Sequence, residues 1–342
     1  MNLVLTAKCD KNCKNCFASE YRRQENLLNK DLDLSFLEKI SPWDGVSSPD
    51  IGILGGEPTL NSSFFLILKK LWDLDYVPVV FSNFLFEDFF KIKLNSFVQD
   101  NISQKLKFLV NINDLKGPHL SRVVKNINFI QKTLASQRKL NELSLSLTID
   151  PVNFNSTFKY LCAFYKKLDF MPRLRVGIAL PSDSEDKSQY KKIINNKNLG
   201  NTIISILQWS ERHRVCVFLD CGIYPCIFSS EDFSIFQSFF PDFKFGCGDE
   251  PAFDIFPNGR SIFCFPLKNQ IANFLSLKRN SDFSNFFDIV EAKENLKKQF
   301  ITMKEKYSCK ECLTCFYSDL CEGICPAFLK GSLKKPKEAY KN

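Results

Sequence analysis

Three closely spaced cysteines near the start of the chain suggest that the protein binds a metal centre. Cys9, Cys13 and Cys16 form a C-x3-C-x2-C triplet directly after a short apolar run. Three thiolates of one loop can fold toward one point and hold a four-iron cluster, which leaves one iron open. An open iron is a position for a ligand, so the triplet predicts a catalytic iron–sulfur centre. A zinc knuckle and buried core thiols are the alternatives.

Composition narrows the class of protein. Of the 342 residues, 44% are hydrophobic and 25% are charged, as in an ordinary globular protein. The start of the chain lacks a basic region and a cleavage site, so we expect no signal peptide and no disulfide framework. With 14 cysteines and only 2 histidines, iron and sulfur fit better than mixed zinc sites. No apolar stretch is long enough to span a membrane, so we predict a soluble, cytoplasmic protein with no membrane partner.

The pattern from residue 1 to 215 predicts the fold. Short β-rich apolar runs alternate with longer amphipathic stretches, which indicates βα units around a parallel sheet. Six units would form an open partial (β/α)6 TIM-like barrel of the α/β class, with chemistry at the carboxyl ends of the strands. The predicted strands are Asn2–Thr6, Asp50–Leu54, Val77–Phe81, Lys107–Ile112, Leu143–Ile149 and Leu174–Leu180.

Two helix starts can also be predicted in this region. Ser35 and Glu38 have the spacing of a capping box, and a second helix is expected to open near Asn61 and to reach Trp72. Cys162 and Cys216 lie in apolar runs and are predicted to be core residues.

Residues 216–330 are predicted to form a smaller C-terminal iron–sulfur cluster domain. Its expected parts are a β-hairpin turning at Pro257-Asn258-Gly259, a helix from about Phe283 to Lys306, and cysteine-rich loops. Residues 331–342 are rich in Lys and Pro and are predicted to be a loose basic tail.

The second predicted strand ends in Gly55-Gly56-Glu57-Pro58. With the triplet at the end of the first strand, this motif resembles the radical S-adenosylmethionine (radical SAM) superfamily. The resemblance implies that the triplet binds a [4Fe-4S] cluster whose open iron is chelated by S-adenosylmethionine, while the Gly-Gly-Glu-Pro segment contacts the methionine amino group. The implied cofactor contacts are Gly55, Gly56, Glu57, Ser82, Asn83, Asn111 and Asn113. For the last four of these residues, a role in a turn or a cap is the alternative.

Two further cysteine patterns resemble the SPASM domain, an extension of radical SAM enzymes that carries auxiliary [4Fe-4S] clusters. They are C-x11-G-x4-C, formed by Cys247, Gly259 and Cys264, and C-x2-C-x5-C-x3-C, formed by Cys312, Cys315, Cys321 and Cys325. The resemblance assigns one cluster to Cys247, Cys264, Cys325 and an upstream thiol, either Cys221 or Cys226. It assigns the other to Cys312, Cys315 and Cys321, with Cys309 as the expected substitute for a later cysteine that this chain lacks.

Bound clusters would lower the positive net charge of the chain, which weakens the case for nucleic-acid binding. Lys and Arg total 46 and Asp and Glu total 38, which gives +8 with every thiol neutral. One cluster with three thiolates and two with four contribute roughly −1, −2 and −2, which leaves about +3. We therefore expect no nucleic-acid partner.

The resemblance also implies a reaction. An electron from a flavodoxin- or ferredoxin-type reductant would cleave S-adenosylmethionine to methionine and a 5′-deoxyadenosyl radical, which abstracts hydrogen from a substrate. SPASM enzymes mostly modify peptides or proteins, so a ribosomal peptide maturase is the leading expectation. Formylglycine formation, as in anaerobic sulfatase maturases, and small-molecule cofactor biosynthesis are alternatives. The triplet begins at Cys9, which leaves no room for an N-terminal leader-binding domain and favours a separate leader-binding protein, a leaderless substrate or a small molecule.

Two acidic residues are candidate general bases. Asp150 follows the fifth predicted strand and Asp114 follows the fourth, so both would face the expected cavity. Helix capping or plain solvation is the alternative role for each. Two other classes of protein fit the cysteine pattern: a non-catalytic iron–sulfur electron carrier, against which Gly55-Gly56-Glu57 argues, and a zinc-bound interaction module.

Overall fold

A computed structural model gives the fold of most of the chain. The predicted tail lies outside the described residues, as do Asp114, Cys309 and Cys325. The structure describes residues 1–13, 16, 18, 22, 31–38, 40, 49–113, 119–135, 143–180, 196–247, 252–257, 261–264, 286–306, 312 and 315–323.

The described strands form one nine-stranded sheet. They are β1 (Asn2–Val4), β2 (Asp50–Leu54), β3 (Val77–Ser82), β4 (Lys107–Asn111), β5 (Leu143–Ile149), β6 (Arg173–Ile178), β7 (Val217–Leu219), β8 (Phe253–Ile255) and β9 (Ser261–Phe263). The strand order is β7-β6-β5-β4-β3-β2-β1-β8-β9, and only the β8–β9 pair is antiparallel. Because β7 and β9 are edge strands, the sheet is open, which confirms the predicted fold class.

Helices return the chain from each strand to the next parallel one, as βα units require. They are α1 (Leu34–Leu37), α2 (Phe64–Asp73), α3 (Asp88–Asp100), α4 (Leu120–Ala135), α5 (Thr157–Tyr165), α6 (Lys197–Arg212), α7 (Ser230–Phe239) and α8 (Phe286–Lys306). Short 3₁₀ turns at Pro58–Leu60 and Pro225–Ile227 complete the helical elements in the described ranges.

The sheet extends beyond the six strands that the sequence predicts. β7 lies just after residue 215 and pairs with β6, and the predicted hairpin is present as β8 and β9 beside β1. β7 escapes sequence analysis because it has three residues, all partly exposed, and so carries no apolar alternation. The division of the chain at residue 215 stays a prediction.

Two local expectations were wrong. Helix α1 has four residues and is capped by Asp33, whose side chain accepts a hydrogen bond from Ser35 N at 2.9 Å, so Ser35 and Glu38 form no capping box. Asp33 is as good a capping residue as Ser35, and it occupies the N-cap position two residues earlier. Cys216 is exposed rather than a core residue, while Cys162 is partly buried and packs against the core.

The two faces of the sheet differ in chemistry. Alternate residues of β1 to β6 pack with the helices in one large core, typified by Leu3, Ile53 and Val110. On the other face, Val4, Leu54 and Phe256 join a small second cluster against which Cys16 and Phe81 pack. The cysteine triplet therefore begins where this second cluster lies against β1.

Further along the second face the lining becomes polar and basic. Lys107 Nζ lies 2.8 Å from Asp50 Oδ2, and Arg175 Nη2 lies 2.6 Å from Asp220 Oδ2. The Arg175 guanidinium also lies 5.8 Å from the centre of the Phe81 ring. All of these side chains except Asp220 border an open cavity of about 280 Å³ between β2 and β7. The cavity reaches the amino ends of the strands, on the side away from the cysteine loop.

None of the helices in the described part of the chain combines the length and the apolar composition that a membrane span requires.

Asp254 on β8 is a buried carboxyl group beside β1. It is 3% exposed, and Asn2 Nδ2 donates a hydrogen bond to its Oδ1 at 2.6 Å. Burial raises the pKa of Asp254 from 3.8 to about 7, and the Asn2 hydrogen bond offsets part of this rise. The folded chain thus binds this proton more tightly than the unfolded chain, so ionisation of Asp254 costs stability as the pH rises from about 4 to 7.

We expect Asp254→Asn to stabilise the protein more at pH 8 than at pH 5.5, because the amide keeps the contact with Asn2 without a charge. The gain in unfolding free energy should increase by about 2 kcal/mol between these pH values, measured by anaerobic denaturant unfolding. Asp50→Asn is the control: it removes the half-exposed ion pair with Lys107 and should lower stability slightly at both. An equal effect of Asp254→Asn at the two pH values would contradict this account.

Candidate functional site

The main chain after β1 runs alongside the main chain after β2. Leu5 N donates to Leu54 O at 2.7 Å, Gly56 N donates to Thr6 O at 2.8 Å, and Glu57 N donates to Lys8 O at 2.7 Å. These bonds extend the parallel pairing of β1 and β2 beyond the strands themselves. They fix the first residue of the cysteine loop, Cys9, directly beside Glu57.

The two glycines make this close approach possible. A Cβ atom on Gly55 would lie 2.5 Å from Thr6 O, and one on Gly56 would lie 2.1 Å from Lys8 O. Real Cβ atoms do not approach main-chain oxygens so closely, so any other residue would push the cysteine loop away. In the structure, the glycines make room for the protein's own main chain.

The triplet thiols lie within one loop. Each is partly buried; Lys11 N donates to Cys9 Sγ at 3.4 Å, and Cys16 N donates to Cys13 O at 3.3 Å. Burial raises the pKa of Cys9 to about 11, so a metal must displace its proton. Three thiols at the carboxyl end of a strand, sheltered but not sealed, are a donor set that fits a four-iron cluster.

Glu57 joins the ends of β2 and β3 from inside the protein. The carboxylate is 2% exposed; Oε1 accepts from Ser82 Oγ at 2.9 Å and from Thr59 Oγ1 at 2.7 Å, and Oε2 accepts from Asn83 N at 2.8 Å. Burial raises the pKa of Glu57, and these donors counteract that rise. The structure shows the carboxylate as an internal brace, and its contact with a bound ammonium group stays a prediction.

Asn83 connects this brace to the cysteine loop. Its Nδ2 donates to Asp10 Oδ1 at 2.6 Å and lies 4.0 Å from Cys9 Sγ, while its Oδ1 accepts from Leu85 N at 2.8 Å. Gly55, Gly56, Glu57, Ser82 and Asn83 are thus brought together around Cys9. Sequence analysis missed the roles of Asp10 and Thr59. For Thr59, its position two residues after Glu57 is the signal that could have indicated its role.

The other predicted contacts lie at the same end of the sheet but are engaged with the protein. Asn111 Oδ1 accepts from Asn113 N at 3.0 Å, and Asn113 Oδ1 accepts from Thr148 N at 2.6 Å. Asp150 accepts from Val152 N at 2.9 Å and from Asn153 Nδ2 at 3.0 Å. The bonds of Asn111 and Asp150 are those of turn-forming residues, and the bond of Asn113 ties the end of β4 to β5. Ligand contacts and a catalytic role stay predictions for all three.

Several of the C-terminal thiols lie near one another. A hydrogen bond joins the Cys221 and Cys247 thiols and raises the pKa of Cys221. Cys264 follows β9 in the left-handed region, with φ of 59°. Burial raises the pKa of Cys321 to about 11, and the nearby thiols of Cys226, Cys312 and Cys315 add to this rise.

A single bound ion would need a more compact arrangement than these thiols have. Within the ranges described, no three or more Cys, His, Asp or Glu side chains surround the position of one metal ion. A four-iron cluster is larger and holds its thiolates further apart.

Comparison of folds identifies similar structures, whereas comparison of sequences finds no match. Neither the search of protein-family models nor the search of curated proteins gives a match. Among solved structures, SuiB of Streptococcus suis bound to S-adenosylmethionine superposes with a TM-score of 0.62 over 95% of this chain and 72% of SuiB, at 15% identity. The chain has the fold of SuiB.

A second structure of SuiB, bound to its precursor peptide SuiA, gives a TM-score of 0.61 at 15% identity, over 95% of this chain and 71% of SuiB. At 15% identity, the two matches show that this chain shares the fold of SuiB.

We expect Gly56→Ala to disrupt the first cluster, since its methyl group cannot fit against Lys8 O. The variant should lose about four irons per chain after anaerobic reconstitution and about 2 kcal/mol or more of stability. Iron quantitation and thermal unfolding measure both effects. In the control Gly52→Ala, the nearest atoms to the new methyl group all belong to the Asn2 side chain, which can move, so full iron loading is expected. Full loading of Gly56→Ala would contradict the argument.

Proposed function

We propose that this chain is a radical SAM enzyme that abstracts hydrogen from a peptide or protein substrate. The observation that carries the proposal is the Cys9, Cys13 and Cys16 loop, held beside Gly55, Gly56 and Glu57 by main-chain hydrogen bonds. Both motifs lie at carboxyl ends of neighbouring strands, where α/β sheets place their ligands.

In this proposal, the three thiolates hold a [4Fe-4S] cluster, and bound S-adenosylmethionine supplies the radical chemistry. The chain's own residues supply position. Gly55 and Gly56 let the loop sit close to β2, and the buried Glu57 carboxylate fixes Ser82 and Asn83 at the end of β3. The Asn83 side chain then orients the loop through Asp10. A ligand above Cys9 would thus meet a preorganised, partly buried surface.

The shared fold with SuiB supports a peptide as the substrate. SuiB, which shares the fold, was crystallised with a precursor peptide, and this agrees with the proposal.

Further parts of the proposal concern residues and partners. The C-terminal thiols would hold two auxiliary [4Fe-4S] clusters in a SPASM-like region, and a flavodoxin- or ferredoxin-type protein would donate the electron. A separate leader-binding protein would present the peptide, or the substrate would bind without a leader. Asp150 and Asp114 remain the proposed general bases. Thiolate-bound iron implies a reducing, cytoplasmic setting.

Iron content and 5′-deoxyadenosine release test the radical step. We expect about twelve irons per chain in the anaerobically reconstituted wild type, and about eight in a Cys9/Cys13/Cys16→Ala variant. The reduced wild type should release 5′-deoxyadenosine from S-adenosylmethionine, and the variant should release none above background. A Cys162→Ala variant, altered at a partly buried thiol on α5, is the matched control and should behave as the wild type.

The outcomes separate the function classes. Full iron without 5′-deoxyadenosine release would indicate an electron carrier, and zinc in place of iron would indicate an interaction module. For the substrate, any short peptide encoded beside this chain can be co-expressed with it anaerobically and analysed by mass spectrometry. A crosslinked peptide would be lighter by a pair of hydrogen atoms, whereas no change in any peptide would count against peptide maturation.

A further inference from the structure

The Arg22 side chain reaches back to the start of the cysteine loop. Its Nη2 donates a hydrogen bond to Cys9 O at 3.4 Å, across 13 positions of the chain. The guanidinium group thereby joins the two ends of the segment that carries Cys13 and Cys16. Because arginine stays protonated in proteins, this contact places a fixed positive charge beside the three thiols.

Two contacts fix the position of Arg22 relative to the loop. Arg22 N donates to Ala18 O at 2.9 Å, which makes one helical turn between these residues. Ala18 is 2% exposed and belongs to the small second cluster with Val4, against which Cys16 also packs. The segment that carries Arg22 is therefore anchored to the sheet at the same place as the loop.

One donor of the Arg22 guanidinium group lacks an acceptor. Its Nε atom is buried and forms no hydrogen bond within the part of the chain that the structure describes. A buried N–H group of a charged side chain without an acceptor costs free energy, and folded proteins rarely contain one. The orphaned donor therefore indicates that an anionic group binds beside the loop.

Exposed charges near the loop contribute little to the electrostatic potential at the thiols. Asp10 is exposed, and the Lys8 side chain is 45% exposed and pairs with Asp31 at 3.1 Å. Water and dissolved ions screen exposed charges far more than sheltered ones. The potential at the triplet therefore depends mainly on the sheltered groups.

Sheltered groups of both signs lie beside Cys9. The Glu57 side chain is 2% exposed, and Glu57 N donates to the loop at 2.7 Å. Lys11, within the loop, is 8% exposed, and Arg22 brings its charged group into contact with Cys9. A further negative charge next to a buried carboxyl group is unfavourable unless a cation is close. Arg22 is placed to supply that cation.

The proposed function brings two anionic groups to this place, the first cluster and the carboxylate of S-adenosylmethionine. The contact of Arg22 with Cys9 favours the cluster, since Cys9 is one of its proposed ligands. Three thiolates on a 2+ core carry a charge of about −1, and one electron from the proposed flavodoxin- or ferredoxin-type reductant makes it about −2, with no proton taken up. A fixed cation stabilises the second state more than the first, and so raises the reduction potential.

We propose that Arg22 is a further residue of the first cluster's site, and that its sheltered positive charge stabilises the reduced form of the cluster. The inference rests on the proposed function, because it requires that the triplet holds a [4Fe-4S] cluster. It gives a role to a residue outside both motifs. The bound cluster is then the anion that the buried Nε–H group lacks.

The test compares Arg22→Gln with the wild type after anaerobic reconstitution. Both should bind about twelve irons per chain, because Arg22 supplies no iron ligand. The EPR signal of the first cluster is the part of the reduced spectrum that the Cys9/Cys13/Cys16→Ala variant lacks. In a redox titration without S-adenosylmethionine, the ratio of reduced to oxidised first cluster should be about tenfold lower in Arg22→Gln at each applied potential, since a charged donor is lost.

Two further variants separate charge from structure. Arg22→Lys keeps the charge and should restore most of the wild-type ratio. Lys8→Gln is the matched control: it removes an exposed cation next to the loop and should leave the ratio unchanged. A ratio in Arg22→Lys as low as in Arg22→Gln would overturn the proposal, because the charge would then not be what matters.

The remaining outcomes are also decisive. An unchanged ratio in fully loaded Arg22→Gln would overturn the inference alone, and weaker binding of S-adenosylmethionine in that variant would then assign Arg22 to the carboxylate instead. Loss of iron from Arg22→Gln would assign it a purely structural role and would overturn the inference too. A wild type that binds no more iron than the Cys9/Cys13/Cys16→Ala variant would overturn the proposed function itself, and the inference with it.

Discussion

The rest of the site depends on the contact between two main-chain segments. These are residues 5–8, which follow β1, and residues 54–57 at the end of β2. Hydrogen bonds hold the two segments together, and the missing side chains of Gly55 and Gly56 permit the distance. Because the contact involves main-chain atoms, it places the cysteine loop without using any side chain that a ligand would need. The side chains around it then serve to lock the arrangement, as Glu57 does with Ser82.

Much of the fold could be predicted because its signals are local. β2 and β5 match their predicted bounds, Asp50–Leu54 and Leu143–Ile149, since buried parallel strands are short apolar runs between helices. The short, partly exposed β7 has no such signal. The predicted cap of α1 was wrong because two possible capping residues, Asp33 and Ser35, lie within three positions. Their spacing in the sequence alone does not show which one caps the helix.

The candidate site could be predicted by residue but not by role. Motif spacing identifies Cys9, Gly56 and Glu57, but it does not show that the Glu57 carboxylate points into the protein and braces β3. The Glu57 and Asn83 contact joins residues 26 positions apart, and no local pattern in the sequence encodes it.

The position of β1 between β2 and β8 has a consequence for how the chain is made. β1 is the first strand to be synthesised, yet one of its two partners, β8, lies about 250 residues later. Until the ribosome has released that segment, β1 presents an unpaired edge, with the cysteine loop attached to it. A long sequence separation also slows folding. Because β8 is synthesised late, the nascent chain would depend on protection of this edge. The surroundings of the cysteine loop would be complete only after the final third of the protein has been synthesised.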